Sequence, residues 1–427
     1  MKTRKKLFFM TASILAVLIL AAAVVLTGCD TDPESEDTPT TPEVKIVSYI
    51  RTWAIPEAMR EGNNRFWTAN MIRGQYLTDL IIAFATIQSN YSTISIPGVG
   101  TGVGQFNLWP EIAALRTSHP HLRIHLSIGG GGDPEITRRF SVMAADPVHR
   151  ASFIQSVTMW LDQRNLDGID LNWEFPVGSG GQRPEDRDNY IYLLQELRDA
   201  MDELGARRGR HYMLSTAIPA TSWFLQRNRV IDSANIVCFL KIMTYDYYGD
   251  WSNRTGHHAG LFRNPIDTQG WSTEQGMLLY LAAGIPREQL MVGVGFYGWG
   301  WSDVPAGGNL DTPGLFQPAP PRSLHTGHIT GGTSTTRTLA YTDLKEHILD
   351  NPDSGFTRFW DDVAKAPWLF NEGRDIFISY SDSEQIRLIA EYAREQNFGG
   401  VFIWEYADDL SSTLVKVLHE AMHQDMD

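Results

Sequence analysis

Only two cysteines occur in 427 residues, Cys29 and Cys238. A fold stapled by several disulfides is excluded, as is a cysteine-rich metal site. Positive charge is scarce too: 36 Lys and Arg stand against 50 Asp and Glu, a net charge of −14. Neutralising phosphates needs clustered cations, so no nucleic acid is expected as a partner. There is no HExxH and no Cys/His cluster, so no metal is expected. A serine nucleophile elbow is missing as well. Gly98–Gly104 does not fit GxGxxG, and no Lys-Ser/Thr follows Gly129–Gly132. Neither stretch therefore reads as a dinucleotide or phosphate loop, and no cofactor is expected.

Long apolar runs are also lacking, with one exception. Leu7 to Leu26 is uncharged, follows Lys2, Arg4, Lys5 and Lys6, and ends in Leu26-Thr27-Gly28-Cys29. A basic start, an apolar stretch and small residues read as an export signal over residues 1–28. The run is also long enough to span a bilayer as an uncleaved anchor. Its ending resembles the bacterial lipobox, which implies cleavage before Cys29 and lipidation of that thiol. The expected location is exported, held by the Cys29 lipid at a bacterial membrane or cell surface. Residues 29–43 are acidic, rich in Pro and Thr and without a basic residue, so they read as a flexible tether. Cys238 sits in Ile236-Val237-Cys238-Phe239-Leu240 and reads as a quiet, buried thiol.

From residue 44 onward short β-rich runs alternate with helical stretches, the pattern of parallel strands joined by crossover helices. The candidate strands are Lys45–Ile50, Asp79–Ala85, Arg123–Ser127, Gly168–Glu174, Tyr212–Ala217, Ile236–Thr244, Met291–Tyr297 and Val401–Trp404. Eight of them predict an α/β fold, a closed (β/α)8 TIM barrel. The stretch between the seventh and eighth is far too long for one helix and its loops. A small α+β insertion domain is therefore expected at 299–378, with the barrel at 44–298 and 379–427. In such a barrel the chemistry belongs at the C-terminal ends of the strands.

The fourth strand is the most informative. Side chains alternate along a strand, so in Asp167-Gly168-Ile169-Asp170-Leu171-Asn172-Trp173-Glu174 the residues Asp170, Asn172 and Glu174 share one face. Ile169, Leu171 and Trp173 share the other, which fits the helix layer. Polar groups aimed into a barrel are costly unless paired. They form either a satisfied internal network or a reactive site, and Glu174, last at the mouth, favours the site.

These residues resemble the DxxDxDxE signature of the family 18 glycoside hydrolases, the chitinase family. Val47-Ser48-Tyr49 with Trp53 resembles that family's first strand, and Ala83-Phe84-Ala85 its second. Ser127-Ile128-Gly129-Gly130 resembles its SxGG motif, and Met243-Thr244-Tyr245-Asp246 with Gly249 its MxYD motif. Gly293–Gly298 and Gly399–Trp404 resemble its seventh and eighth strands. The resemblance covers about residues 44–410. It implies hydrolysis of β-1,4 bonds in chitin or another N-acetylglucosamine polysaccharide, with retention but without a protein nucleophile. The substrate's own acetamido oxygen attacks the anomeric carbon. Glu174 is implied as general acid, then base, its pKa raised by burial and by Asp170. Asp170, Asn172 and Tyr245 are its implied partners, Tyr245 bonding the acetamido oxygen. Trp404 is the implied floor of the sugar site, Asp246 an acceptor for a hydroxyl, and Met243, Phe84, Trp53 and Tyr297 further substrate contacts. Tyr49 and Ser127 are implied donors to Asp170, with Asp167 completing the support. A monomer is expected.

The signature's third Asp is Asn172 here. Asn accepts an acetamido N–H but supplies no charge for the oxazolinium cation, and its NH2 is expected to donate to Asp170. Opposite charges at ~4 Å interact by ~4 kcal/mol at an effective dielectric of ~20. Complete loss of that term would cost roughly a thousandfold in rate. Less like-charge repulsion also implies a less raised Glu174 and a more acidic optimum. Trp299 and Trp301, after Gly295, either stack on sugar or seal the insertion; Trp109 and Trp251 are further cleft candidates. Two other functions stay open: an endo-β-N-acetylglucosaminidase acting on N-glycans or peptidoglycan, and a weakly active or non-catalytic lectin.

Overall fold

The computed structural model describes residues 44–55, 66–178, 183–268, 270–309, 311–320, 324–330 and 337–424. The export segment, Cys29 and the tether lie outside these. The strands are β1 (Lys45–Arg51), β2 (Asp79–Ile87), β3 (Ile94–Ser95), β4 (Arg123–Gly129), β5 (Gly168–Asn172), β6 (Met213–Pro219), β7 (Phe239–Met243), β8 (Leu290–Gly295), β9 (Tyr297–Trp301), β10 (Leu339–Ala340), β11 (Thr357–Asp361), β12 (Ala366–Asn371), β13 (Ile376–Tyr380) and β14 (Gly400–Trp404).

Eight of these run parallel in the order β1-β14-β8-β7-β6-β5-β4-β2, and β1 pairs with β2 to close the barrel. Crossovers are helical: α1 (Leu108–Ser118), α2 (Pro134–Ala145), α3 (Pro147–Gln163), α4 (Asp186–Arg208), α5 (Ser222–Arg227), α6 (Val230–Ala234) and α7 (Thr273–Ala282). Local sequence sets their ends. Asp133 and Asp146 accept from Glu135 N and Val148 N, each followed by Pro at the first helical position. α4 stops at Gly209, in the left-handed region at φ 66°.

Strand alternation divides the core. Ile46, Ile50, Leu80, Ile82, Ile169, Leu171 and Trp173 pack in the layer between sheet and helices. Val47, Tyr49, Ile81, Ala83, Phe239, Met291 and Phe402 fill the barrel interior. Cys238 is buried at the start of β7, with Sγ 3.7 Å from His211 Nε2.

Between β8 and β14 the chain builds a second sheet, antiparallel, in the order β10-β9-β13-β12-β11. It starts at Tyr297 and ends at Tyr380, just outside the expected 299–378. The expected seventh strand is in fact two: β8 stops at Gly295, and Tyr297 already belongs to the second sheet. Short helices α8 (Thr326–Thr330) and α9 (Tyr341–Leu344) accompany it, and α10 (Ser383–Glu395) leads back to β14. The segment after β7 grips this sheet: His258 N donates to Ser379 Oγ at 2.9 Å, and Asn264 Nδ2 to Asp361 Oδ2 at 2.6 Å.

Candidate active site

β5 ends at Asn172, so Glu174 lies two residues past the strand, at the mouth. Register aligns Ser127, Asp170 and Ser215 across β4, β5 and β6. There Asp170 is fully buried and takes four donors. Tyr49 Oη and Ser127 Oγ each reach Oδ2 at 2.7 Å. Ser215 Oγ reaches Oδ1 at 3.0 Å and Lys241 Nζ at 2.5 Å. Lys241 also donates to Ser215 Oγ at 2.7 Å. Burial pulls the Lys241 ammonium below its usual range, and Asp170 opposes that pull.

Asn172 is buried one step nearer the mouth. Its Oδ1 has no partner. The expected bond from its NH2 to Asp170 is not made, because Asp170's oxygens are already filled. The Glu174 carboxyl is crowded by protein yet retains some exposure, and it is pushed up to about 7. Burial is the main cause; the Asn172 amide pulls back, and Asp246 and then Asp170 add repulsion. Asp246 thus outranks the expected Asp170. Thr137 Oγ1 of α2 holds the Glu174 carbonyl at 2.9 Å.

Glycines make the room. Gly129 has φ 123°, and a side chain there would overlap the Asn172 carbonyl. A methyl on Gly131 would overlap Glu174 Oε2. Three non-proline peptides are cis around this mouth: Ala83–Phe84, Glu174–Phe175 and Trp404–Glu405.

Aromatic rings form one wall. Phe84 stacks on Trp404 with centroids 5.5 Å apart, and Trp53 stacks on Phe84 at 6.3 Å. Trp53 is 44% exposed, so this wall faces solvent. Opposite it, Asp246 Oδ1 accepts from Tyr297 Oη at 2.6 Å and Trp299 Nε1 at 2.7 Å. The Tyr245 ring lies 6.2 Å from Tyr297 and 6.0 Å from Phe402, and its burial raises the phenol well above its usual range. Met243, at the end of β7, packs against the same interior cluster.

A second charged cluster backs the Trp53 wall. The Arg51 guanidinium binds Glu405 and Asp408 and lies 5.6 Å from the Trp53 ring. Asp343 of α9 is 1% exposed, and neither carboxylate oxygen has a partner. Burial pushes Asp343 up to about 7 and Asp408 to about 8, Arg51 opposing in both cases.

Several expectations need correction. Asp167 is remote from the site: it precedes β5 at the bottom of the barrel, where it pairs with Arg116 and Arg210. Trp109 lies on the helix shell against Trp160, not in the cleft. Trp301 is buried against Phe377 and seals the insertion. Trp299 does neither expected job alone; it bonds Asp246 and meets the exposed Trp251 ring at 5.2 Å. Sequence reading missed Lys241, Ser215, Gly131 and the Arg51 cluster. Among the described residues no group of three or more His, Cys, Asp or Glu is arranged to hold a metal.

Comparison with known proteins agrees with this geometry. The family model for glycosyl hydrolases family 18 matches residues 45–409. Chitinase A1 of Niallia circulans is 33% identical over 315 residues, 71% of this chain and 43% of that protein. An endochitinase of Manduca sexta is 28% identical over 426 residues, 96% of this chain and 71% of that one. A solved family 18 N-acetylglucosaminidase from Paenibacillus barengoltzii matches with a TM-score of 0.72 at 29% identity, covering 89% of this chain and 100% of that one. The chain spans less than half the length of the first of these relatives.

Proposed function

Because the chain belongs to family 18 of the glycosyl hydrolases, we propose that it hydrolyses β-1,4 bonds of chitin or chitooligosaccharides. Glu174 is the acid and then the base. The observation that carries this reading is that both carboxylates acting on Glu174 are committed to protein donors, Asp246 to Tyr297 and Trp299 and Asp170 more fully still. Asp170 is tied by four donors, and the residue between it and Glu174 is an amide. A retaining glycosidase with a protein nucleophile needs a second free carboxylate about 5 Å from the acid. Here the substrate must bring the nucleophile, and an acetamido group does so.

In the first step the protonated Glu174 gives its proton to the glycosidic oxygen. The bond from that oxygen to the anomeric carbon breaks while the acetamido oxygen bonds the same carbon, giving an oxazolinium ion. Asn172 Oδ1, without a protein partner, accepts the acetamido N–H. The Tyr245 hydroxyl, kept protonated by burial, donates to the acetamido oxygen. Trp404 lies beneath the sugar, with Phe84 and Trp53 continuing the apolar wall. Asp246, oriented by Tyr297 and Trp299, accepts a hydroxyl. In the second step Glu174 takes a proton from water, which opens the oxazolinium with net retention. A Glu174 near 7 is protonated at the start and regains its proton at the end.

The test is incubation with chitohexaose, products followed by mass spectrometry and Glu174→Gln as control. Shorter oligosaccharides from the wild type alone are expected. Binding without cleavage means a lectin, and cleavage only of N-glycans or peptidoglycan means another polymer.

We also read the chain as an exported lipoprotein acting as a monomer. Leu26-Thr27-Gly28-Cys29 supports lipidation at Cys29. Radiolabelled palmitate should enter the protein in a bacterial host and be lost in Cys29→Ser.

A further inference from the structure

Lys241 stands in an otherwise apolar strand, Phe239-Leu240-Lys241-Ile242-Met243. Its side chain is 0% exposed, and no solvent reaches its ammonium. Charged groups facing it from neighbouring strands are few. Asp170 on β5 binds it, and Asp79 on β2 attracts it from below. Ser215 on β6 accepts from it, and the rings of Tyr49 on β1 and Phe239 on β7 lie 5.5 and 5.6 Å from Nζ. Beyond Asp170 come Asn172, Glu174 and Tyr245.

In the ladder Asp170–Asn172–Glu174 the residue between the two carboxyls is a neutral amide. Lys241 Nζ stands 2.5 Å from Asp170 Oδ1, and neither side chain is exposed. With Oδ1 held by Lys241 and Ser215, and Oδ2 by Tyr49 and Ser127, Asp170 has no free oxygen to offer Asn172. The Asn172 amide is thereby left free of Asp170, with its Oδ1 open.

We propose that Lys241 is a positioning residue for the reaction: by completing the set of donors on Asp170 it lets a neutral amide at position 172 orient Glu174 and the substrate's acetamido group. The inference rests on the proposed hydrolase function and deepens it. Lys241 and Asn172 form one unit. Without the ammonium, Asp170 is a buried anion held by hydroxyls alone, and it competes for the Asn172 amide. A carboxyl at 172 restores balance by another route, because two adjacent carboxyls share one proton.

The test is a double-mutant cycle in the full chain: wild type, Lys241→Met, Asn172→Asp and the double variant, with kcat and KM for chitohexaose and thermal melting for each. Lys241→Met should lower kcat by roughly a hundredfold, as expected when a catalytic group is misplaced by about 1 Å, while KM changes less than threefold. The double variant should recover at least tenfold of that loss. If Lys241→Met alone fails to fold but the double variant folds, the charge balance is equally supported. Equal losses in both backgrounds, an unchanged kcat, or failure of both variants to fold overturns the proposal and leaves Lys241 a structural residue. Wild type that leaves every acetamido substrate intact overturns the functional reading instead; active wild type with additive variants overturns only this inference.

Discussion

Asp170 is one carboxylate among four donors, one of them a cation. The Arg51 cluster is one cation shared by Glu405 and Asp408, with Asp343 partnerless alongside. Both are buried in or beside the same barrel. Both oxygens of Asp170 are engaged by protein donors and none is left for a substrate. The acid-rich cluster has too few donors, and burial pushes Asp343 and Asp408 up toward the protonated form. Glu174 belongs with the second kind: it too is pushed up to about 7 by burial. What separates it from Asp343, also about 7, is access. Glu174 meets the solvent-facing mouth beside Trp404 and Tyr245, whereas Asp343 is 1% exposed behind the Trp53 wall. A raised carboxyl is a catalyst only where a substrate reaches it.

The largest expected effect breaks this comparison at its reactive end. Glu174→Gln keeps the shape and removes the proton, so kcat should fall by roughly a thousandfold, within the usual range for general acid–base groups. Melting temperature should hardly change. Asp343→Asn, an equally raised acid, should leave kcat within about twofold. Steady-state kinetics on chitohexaose compare the two directly, and a comparable loss in both would remove access as the distinction.

Next comes the saturated end. Asp170→Asn leaves Lys241 as a buried, unpaired cation, which typically costs about 3–5 kcal/mol of stability. Denaturant unfolding at pH 7 should show that loss. The Arg51 cluster should respond in the opposite sense. Asp343 has a folded-state pKa of about 7, above its ordinary 3.8. Below about pH 4 both states hold the proton and there is no contribution. As pH rises from about 4 to 7 the unfolded state ionises freely, so the folded state loses stability, fully so above 7. Asp343→Asn should therefore stabilise by roughly 1–3 kcal/mol at pH 8 and by nothing at pH 4. Equal effects at both pH values would mean that Asp343 carries no excess proton.

Sequence made much of this legible, and period 2 did most of the work. Ile169, Leu171 and Trp173 go to the helix layer while Asp170 and Asn172 go inward, as alternation requires. The same rule places Lys241 with Met243 and Tyr245, on the inward face of an otherwise apolar strand. It also argues against Asp167, three residues before Asp170 and hence out of phase with it. Other contacts left no local trace. Arg51 and Glu405 are 354 residues apart and meet because β1 pairs with β14. Trp299 reaches Asp246 only because the chain leaves the barrel at Gly295 and starts a second sheet two residues later.

The smallest effect probes the residue between the two kinds of carboxyl. Asn172 lowers the Glu174 pKa by donating to the ionised form. In Asn172→Asp that donor is gone and, where the new carboxyl is ionised, a like charge replaces it. Both changes favour the protonated Glu174. Because the protonated form starts the reaction, activity is lost as pH rises through the Glu174 pKa, which makes that group the alkaline limb of the profile. The limb should sit near pH 7 in the wild type and move upward by roughly 0.5–1 unit in Asn172→Asp, the size of an ordinary single-neighbour perturbation. A profile of kcat against pH measures it. A limb that stays in place would mean that burial alone sets Glu174, and that the amide at 172 serves only the acetamido group of the substrate.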